Sequence, residues 1–381
     1  MSKSTILALA ITAVVGLNSC TKSTSNAPQD TNAGAGSGSG TSGKYPVITS
    51  RDKLVWPFAS NSIWNTSIGS NAKYVDLGAT LHNISADVDW FIVCKESDPA
   101  VPTYNTQTFF QGRCGGTDPQ PQGQYHPELL QNMKIPQSLI IADAVTSGGI
   151  YSTPNSSSAF LAPDGRTLDQ LNVTTRCSAG GPLYGYRITQ HDIYGDGIEG
   201  AHLGSALSSI GGSMRTGELT GNAAIRHVLK IDIWGNYMYY DKKTGSGHRW
   251  PAELNDQGAP NSYKGGNSAL VMGSLLAIPP SVNMASLNLK TNAAKLIFTA
   301  LQDFGAYVCD DSGLDGVNLC IENNANEEYK AKLGRYIDQD TDLNFDLNLI
   351  WPYVKVVDNN TADNIGGGGT LRVPLPPPIT N

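Results

Sequence analysis

The sequence predicts a mainly β fold, a single antiparallel β-sandwich or jelly-roll-like domain with a few helices. Three observations predict it. Runs such as "SLIIADAV" and "HVLKIDIW" are rich in β-branched and apolar residues and are bounded by Gly, Pro or Asn. In "AFLAPDGRTLDQ", Pro163, Asp164 and Gly165 separate two apolar stretches, which is the chemistry of a hairpin turn. Strands and helices do not alternate as a parallel α/β sheet would require. The composition agrees: 41 Gly and 21 Pro among 381 residues make a turn-rich chain, and 40% hydrophobic residues supply a core.

Residues 1–20 read as an export signal. "MSK" gives the positive start, and the apolar run "ILALAITAVVGL" is too short to span a bilayer. The run ends in "LNSC", which resembles a bacterial lipobox; the resemblance implies that Cys20 carries lipid and becomes the mature N-terminus. Residues 21–45 are mostly Ser, Thr, Gly, Ala and Asn and are expected to form a tether reaching about 25–30 Å. Residues 46–381 contain no linker or repeat and are expected to form one domain. An exported chain permits disulfides. Cys309 with Cys320 and Cys94 with Cys114 are the expected pairs, which leaves Cys177 over.

In "HVLKIDIW", alternation puts His227, Leu229, Ile231 and Ile233 on one face. That face reads as core, with His227 a hydrogen-bonded buried residue. Arg226, Val228, Lys230, Asp232 and Trp234 point the other way, toward solvent or a concave sugar-binding surface. "TNAAKLIFTALQDFGAYV" is the clearest helix: Thr291 or Asn292 caps it, Leu296, Ala300 and Phe304 share a face, and Gly305 ends it. A weaker helix is expected around "NEEYKAKLGRYI". The tail "GGGGTLRVPLPPP" is expected to wrap over the surface.

The stretch His191–Leu219 carries two histidines, four carboxylates and seven glycines. So many glycines leave little side chain for a core, and titratable groups on such a loop suit a cleft. Glycoside hydrolysis uses two carboxyl groups, and Asp196, Glu199 and Glu218 are the candidates, with Asp192 a fourth. Elimination from a uronate needs a base and a cation, for which His202, Tyr194, Arg215 and Arg226 are available. Lys230, Trp234 and Trp250 are the further expected substrate contacts; Trp250 suits stacking on a sugar face. Gly204-Ser205-Ala206 lacks the second glycine of a serine-hydrolase elbow. "DDSGLDGVNLCIE" approaches a calcium loop through Asp311, Asp315, Gly316 and Glu322, but Gly313 stands where a ligand is needed. No cofactor or resident metal is expected.

Net charge is −7 and no basic run exists, which excludes a nucleic-acid partner. The phrases "SNSIWNTSIG", "GAHLGSALSSIGGSMRTGEL", "HRWPAE" and "ALQDFGAYVCDD" are similar to exported bacterial proteins, and this resemblance carries no catalytic residue across. The expectation is a lipid-anchored, extracytoplasmic carbohydrate-active protein of the cell envelope. It would cleave a polysaccharide by hydrolysis or β-elimination and touch the membrane only through its lipid. The alternative is a surface glycan-binding lipoprotein without catalysis.

Overall fold

Alternation of apolar and polar residues along the central strands gives the sheet two chemically different faces, and each face recruits a different layer. The computed structural model describes residues 45–106, 109–115, 132–147, 150–152 and 155–380. The expected signal segment, Cys20 and nearly all of the tether lie outside them. The strands are β1 (Tyr74–Asp76), β2 (Ile84–Val93), β3 (Ala100–Asn105), β4 (Asn132–Lys134), β5 (Val145–Ser147), β6 (Ile150–Ser152), β7 (Ser158–Leu161), β8 (Thr167–Thr175), β9 (Leu183–Asp192), β10 (Glu199–His202), β11 (Leu229–Ile233), β12 (Leu275–Ala277), β13 (Ala306–Asp311), β14 (Val317–Glu322) and β15 (Lys355–Val357). Twelve of them join in one sheet in the order β1-β15-β12-β13-β11-β14-β2-β7-β8-β9-β3-β4.

The fold is mainly β, but the sheet is mixed. β11 with β13, β14 with β2, β2 with β7 and β3 with β9 run parallel. β13 and β14 are joined by residues 312–316, yet they pair with opposite edges of β11. β7 and β8 form the hairpin expected around Pro163-Asp164-Gly165. The Asp164 carboxylate accepts from the Arg166 and Thr167 backbone N–H groups and closes that turn. The segment "SLIIADAV" is a correction: it reaches the sheet edge only through an Ile141–Arg176 bridge, Ile140 stays exposed, and β5 begins only at its last residue.

The helices are α1 (Ala259–Ser262), α2 (Asn292–Asp303), α3 (Asn323–Leu333) and α4 (Thr341–Ile350), and on one face Leu229, Ile231 and Ile233 of β11, Val308 of β13, and Leu319 and Ile321 of β14 bury against α2, α3 and α4. Helix α2 begins where Thr291 Oγ1 accepts from Ala294 N–H; Leu296, Ala300 and Phe304 are all buried. Helix α3 ends on Gly334, whose φ of 77° suits the left-handed C-terminal position. Among the described residues no helix is long and apolar enough to cross a membrane. In the tail, Leu371 bridges to Gly69 and Val373 is buried.

The opposite face is covered by residues 58–68 and by the glycine-rich stretch after β9. That stretch was expected to be too poor in side chains for a core. It is instead core material: all of residues 200–215 except Leu203 are buried. Its glycines permit close packing. A Cβ at Gly211 would lie 2.2 Å from the Trp64 ring, and one at Gly204 would lie 2.3 Å from Asp310 Oδ1. Apolar burial is replaced here by backbone laid directly on side chains.

Candidate functional site

Two places gather titratable groups. The first is a groove of about 390 Å³ lined by His191, Asp196, Ile198, Glu199, Trp250, Pro251, Ala252 and Glu253. Asp196 belongs to the turn between β9 and β10, Glu199 opens β10, and Trp250 and Glu253 come from a distant loop. The turn is held from beneath: Ser62 Oγ donates to the Asp196 carbonyl at 2.5 Å and Trp64 Nε1 donates to the Gly197 carbonyl at 2.6 Å. The Asp196 carboxylate accepts from Ile198 N–H. The far wall is fixed by Glu253 N–H donating to the Ser205 carbonyl. Asp196 and Glu253 are exposed, and Glu199 is half-buried at the start of β10.

The second place lies under the covering layer, on the polar face of the sheet. Asp87 and Asp89 alternate with Ala86 and Val88 on β2, so both carboxylates face away from the helices. Lys230 and Asp232 do the same on β11. Cys309, Cys320 and His202, all fully buried, complete the group. His202 Nε2 lies 3.2 Å from Asp87 Oδ2, and Nδ1 lies 3.5 Å from Asp310 Oδ2. The Asn155 amide donates to both Asp87 and Asp310. Lys230 Nζ sits 3.0 Å from Asp89 Oδ2 and donates to the Ser208 and Ser209 carbonyls.

Burial and the neighbouring charges together set the acidities here. It acts to lower His202, as does the Lys230 charge, but the Asp310 and Asp87 carboxylates hold the imidazole well above its ordinary value. Burial acts to raise Asp87; the His202 hydrogen bond and charge outweigh it and leave Asp87 below its usual range. Burial and the Asp256 charge push Asp310 well up. Burial, with the Asp87 charge, pushes Asp232 up to about 8. Such a layer is a polar core, and it can also hold a cation. Donor atoms of His202, Asp232, Cys309 and Cys320 all lie within 4.8 Å of one another, as do those of Asp87, Asp89 and His202.

The residues expected in one cleft separate. Asp196, Glu199 and Trp250 line the groove. His202 is fully buried beneath it, so it cannot meet a polymer at the surface. Glu218 is not among the groove's lining residues; it accepts from the Arg215 N–H and lies 3.0 Å from His227 Nε2. Arg215 is buried on Glu322. Arg226 packs over Tyr45 and Trp56. Lys230 is buried in the polar layer, and Trp234 sits edge-on to Tyr237. Asp192 pairs with Arg166. In the calcium-like segment the carboxylates diverge: Asp311 takes the Gly235 and Gly313 N–H groups, Asp315 takes Tyr237, and Glu322 takes Arg215.

The cysteine pairing also differs. Cys114 is bonded to Cys177, and Cys94 is a buried thiol. Cys309 and Cys320 are thiols with Sγ atoms 3.8 Å apart. Their strands lie on either side of β11.

Asp87, Asp89 and Glu253 were missed by sequence reasoning. The alternation of "SADVDW" over Ser85–Trp90, with carboxylates where a strand should turn one face inward, was the available signal for the first two. Comparison with protein-family models, with curated proteins and with solved structures finds no match to this chain.

Proposed function

We propose that the protein binds a polysaccharide in the groove beside Trp250 and cleaves it by hydrolysis. The observation that carries the reading is the meeting of an indole with the carboxylates of Asp196, Glu199 and Glu253 in one open groove. The indole offers a face for a sugar ring, and paired carboxyls are the equipment of glycoside hydrolysis. Glu199, fixed at the start of β10, is assigned as the general acid, with Asp196 or Glu253 as its partner. The groove's lining includes three carboxylates and neither Lys nor Arg. That favours a neutral glycan over a uronate, whose carboxylate would be repelled, and hydrolysis over elimination, which needs a cation. We place the protein at the cell envelope, held by lipid on Cys20, which mass spectrometry of the mature N-terminus tests.

The test is reducing-end release from a panel of neutral and uronate-containing polysaccharides. Glu199→Gln should lower turnover of the neutral substrate by about a hundredfold or more with the melting midpoint unchanged, and Trp250→Ala should raise KM. The exposure of Asp196 and Glu253 favours a second reading, glycan binding without cleavage. Calorimetric binding with no new reducing ends would establish that reading, and no binding at all would exclude both.

A further inference from the structure

Four strands converge at the inner end of the polar layer, and each contributes one metal-binding side chain. β10 supplies His202, β11 supplies Asp232, β13 supplies Cys309 and β14 supplies Cys320. Cys309 is the extra residue at a bulge: Ile231 pairs with Val308 and Asp232 with Asp310, which skips it. Its thiol lies on the same face as Tyr307 and comes within 3.0 Å of Asp232 Oδ1. Cys320 Sγ lies 3.7 Å from the same oxygen and 3.8 Å from Cys309 Sγ, and His202 Nε2 lies 4.0 Å from Cys309 Sγ.

The Cys309–Cys320 and Cys320–Asp232 spacings match the edges of a zinc tetrahedron, and the Cys309–Asp232 contact is shorter than such an edge. Zinc–sulfur bonds of about 2.3 Å at the tetrahedral angle put two sulfurs about 3.8 Å apart, and the sulfur–nitrogen and sulfur–oxygen edges are about 3.6 Å. Two thiolates, an imidazole and a carboxylate form a donor set that favours zinc over the hard cations. A separate observation points to a missing cation. Asp89 is wholly buried, and its Oδ1 has no hydrogen-bond partner while facing His202 Nε2 at 3.9 Å. Buried polar atoms are almost always satisfied, and Lys230 reaches only the other oxygen of that carboxylate. Four carboxylates, those of Asp87, Asp89, Asp232 and Asp310, face one ammonium and one imidazole.

We propose that His202, Asp232, Cys309 and Cys320 bind one zinc ion. All four positions of the tetrahedron are filled by protein, so the site is structural. It clamps β11, β13 and β14 to the covering layer and leaves the groove chemistry to other residues. Asp89 and Lys230 lie beside the ligands and adjust the charge of the site.

Metal analysis of the purified full-length protein should give one zinc per chain. After chelator treatment, titration with CoCl2 should give the thiolate-to-cobalt charge-transfer band and the intense visible bands of tetrahedral Co(II), saturating at one equivalent. Cys309→Ser and Cys320→Ser should each abolish the charge-transfer spectrum. If either variant fails to fold, wild-type protein decides alone. ZnCl2 should raise the melting midpoint of the chelator-treated chain and slow alkylation of Cys309 and Cys320 at least tenfold relative to the zinc-free form. The proposal is overturned by a wild-type chain that takes up no zinc and shows no cobalt bands. It is also overturned by a cobalt spectrum unchanged in Cys309→Ser, or by peptide mapping that finds a Cys309–Cys320 disulfide. Retained glycan cleavage in a zinc-free chain would leave the groove reading intact, so the two fail separately.

Discussion

Replacing Lys230 by methionine isolates what the buried polar layer contributes. Lys230 is 1% exposed, and its ammonium has three partners: Asp89 Oδ2 at 3.0 Å and the carbonyls of Ser208 and Ser209 at 3.1 and 3.0 Å. Methionine fills most of the space of the lysine stem, so little cavity forms. What is lost is the charge. Asp89 keeps one donor, Ser213 Oγ at 2.6 Å, and its other oxygen already lacks a partner. Removing one member of a buried ion pair costs about 3–5 kcal/mol, because the remaining charge is left uncompensated. Two carbonyls that lose a donor add about 1 kcal/mol. We therefore expect a loss of about 4–6 kcal/mol, a large fraction of a typical domain's 5–15 kcal/mol. Urea unfolding followed by tryptophan fluorescence should show a lower midpoint with an unchanged slope. The double variant Lys230→Met/Asp89→Asn should recover about half of the loss, since the stranded charge is gone. A single variant within about 1 kcal/mol of wild type would refute the electrostatic account of this layer, and a double variant as unstable as the sum of its parts would refute the pairing.

Three further outcomes follow from the same geometry. Gly211→Ala should destabilise by about 2–3 kcal/mol through overpacking, since the new Cβ meets an indole that is pinned by its bond to the Gly197 carbonyl; Gly266→Ala, with open space around it, should change the unfolding free energy by less than about 0.5 kcal/mol. Cys177→Ser should lower stability by about 4 kcal/mol in the loop-entropy account, given the 63-residue separation of Cys114 and Cys177, and a reducing agent should shift wild type to the same midpoint. At His227, burial acts to lower the imidazole, but the Glu218 charge and hydrogen bond outweigh it and raise it above 6.5. The raised value makes that pair stabilising at low pH: its contribution is complete below about 6.5 and is lost as pH climbs through the folded-state value. The stability gap between wild type and Glu218→Gln should therefore be widest below pH 6.5 and close on the alkaline side; a gap that widens with pH would contradict the pairing.

Local chemistry was enough to read several elements. The Thr291 cap and the periodicity of Leu296, Ala300 and Phe304 specify α2 whatever surrounds it. Pro163-Asp164-Gly165 specifies its hairpin in the same way. Alternation assigned Leu229, Ile231 and Ile233 to the core, because a strand sorts its faces by itself. The opposite face of β11 shows where sequence stops. Lys230 and Asp232 look like a solvated or sugar-facing surface, and nothing within β11 says that another layer will cover them. Their burial depends on residues 200–215 lying flat on the sheet, and those glycines read as openness when they serve close approach. Pairing across β11 is likewise invisible in one dimension. Cys309 and Cys320 are near neighbours in sequence, but the connection between β13 and β14 sets a strand between them, and both are thiols in the structure. His202 shows the same limit. Its glycine context singles it out, and only the stacking of β10 over β2, β11 and β13 decides that it faces three buried aspartates instead of a substrate.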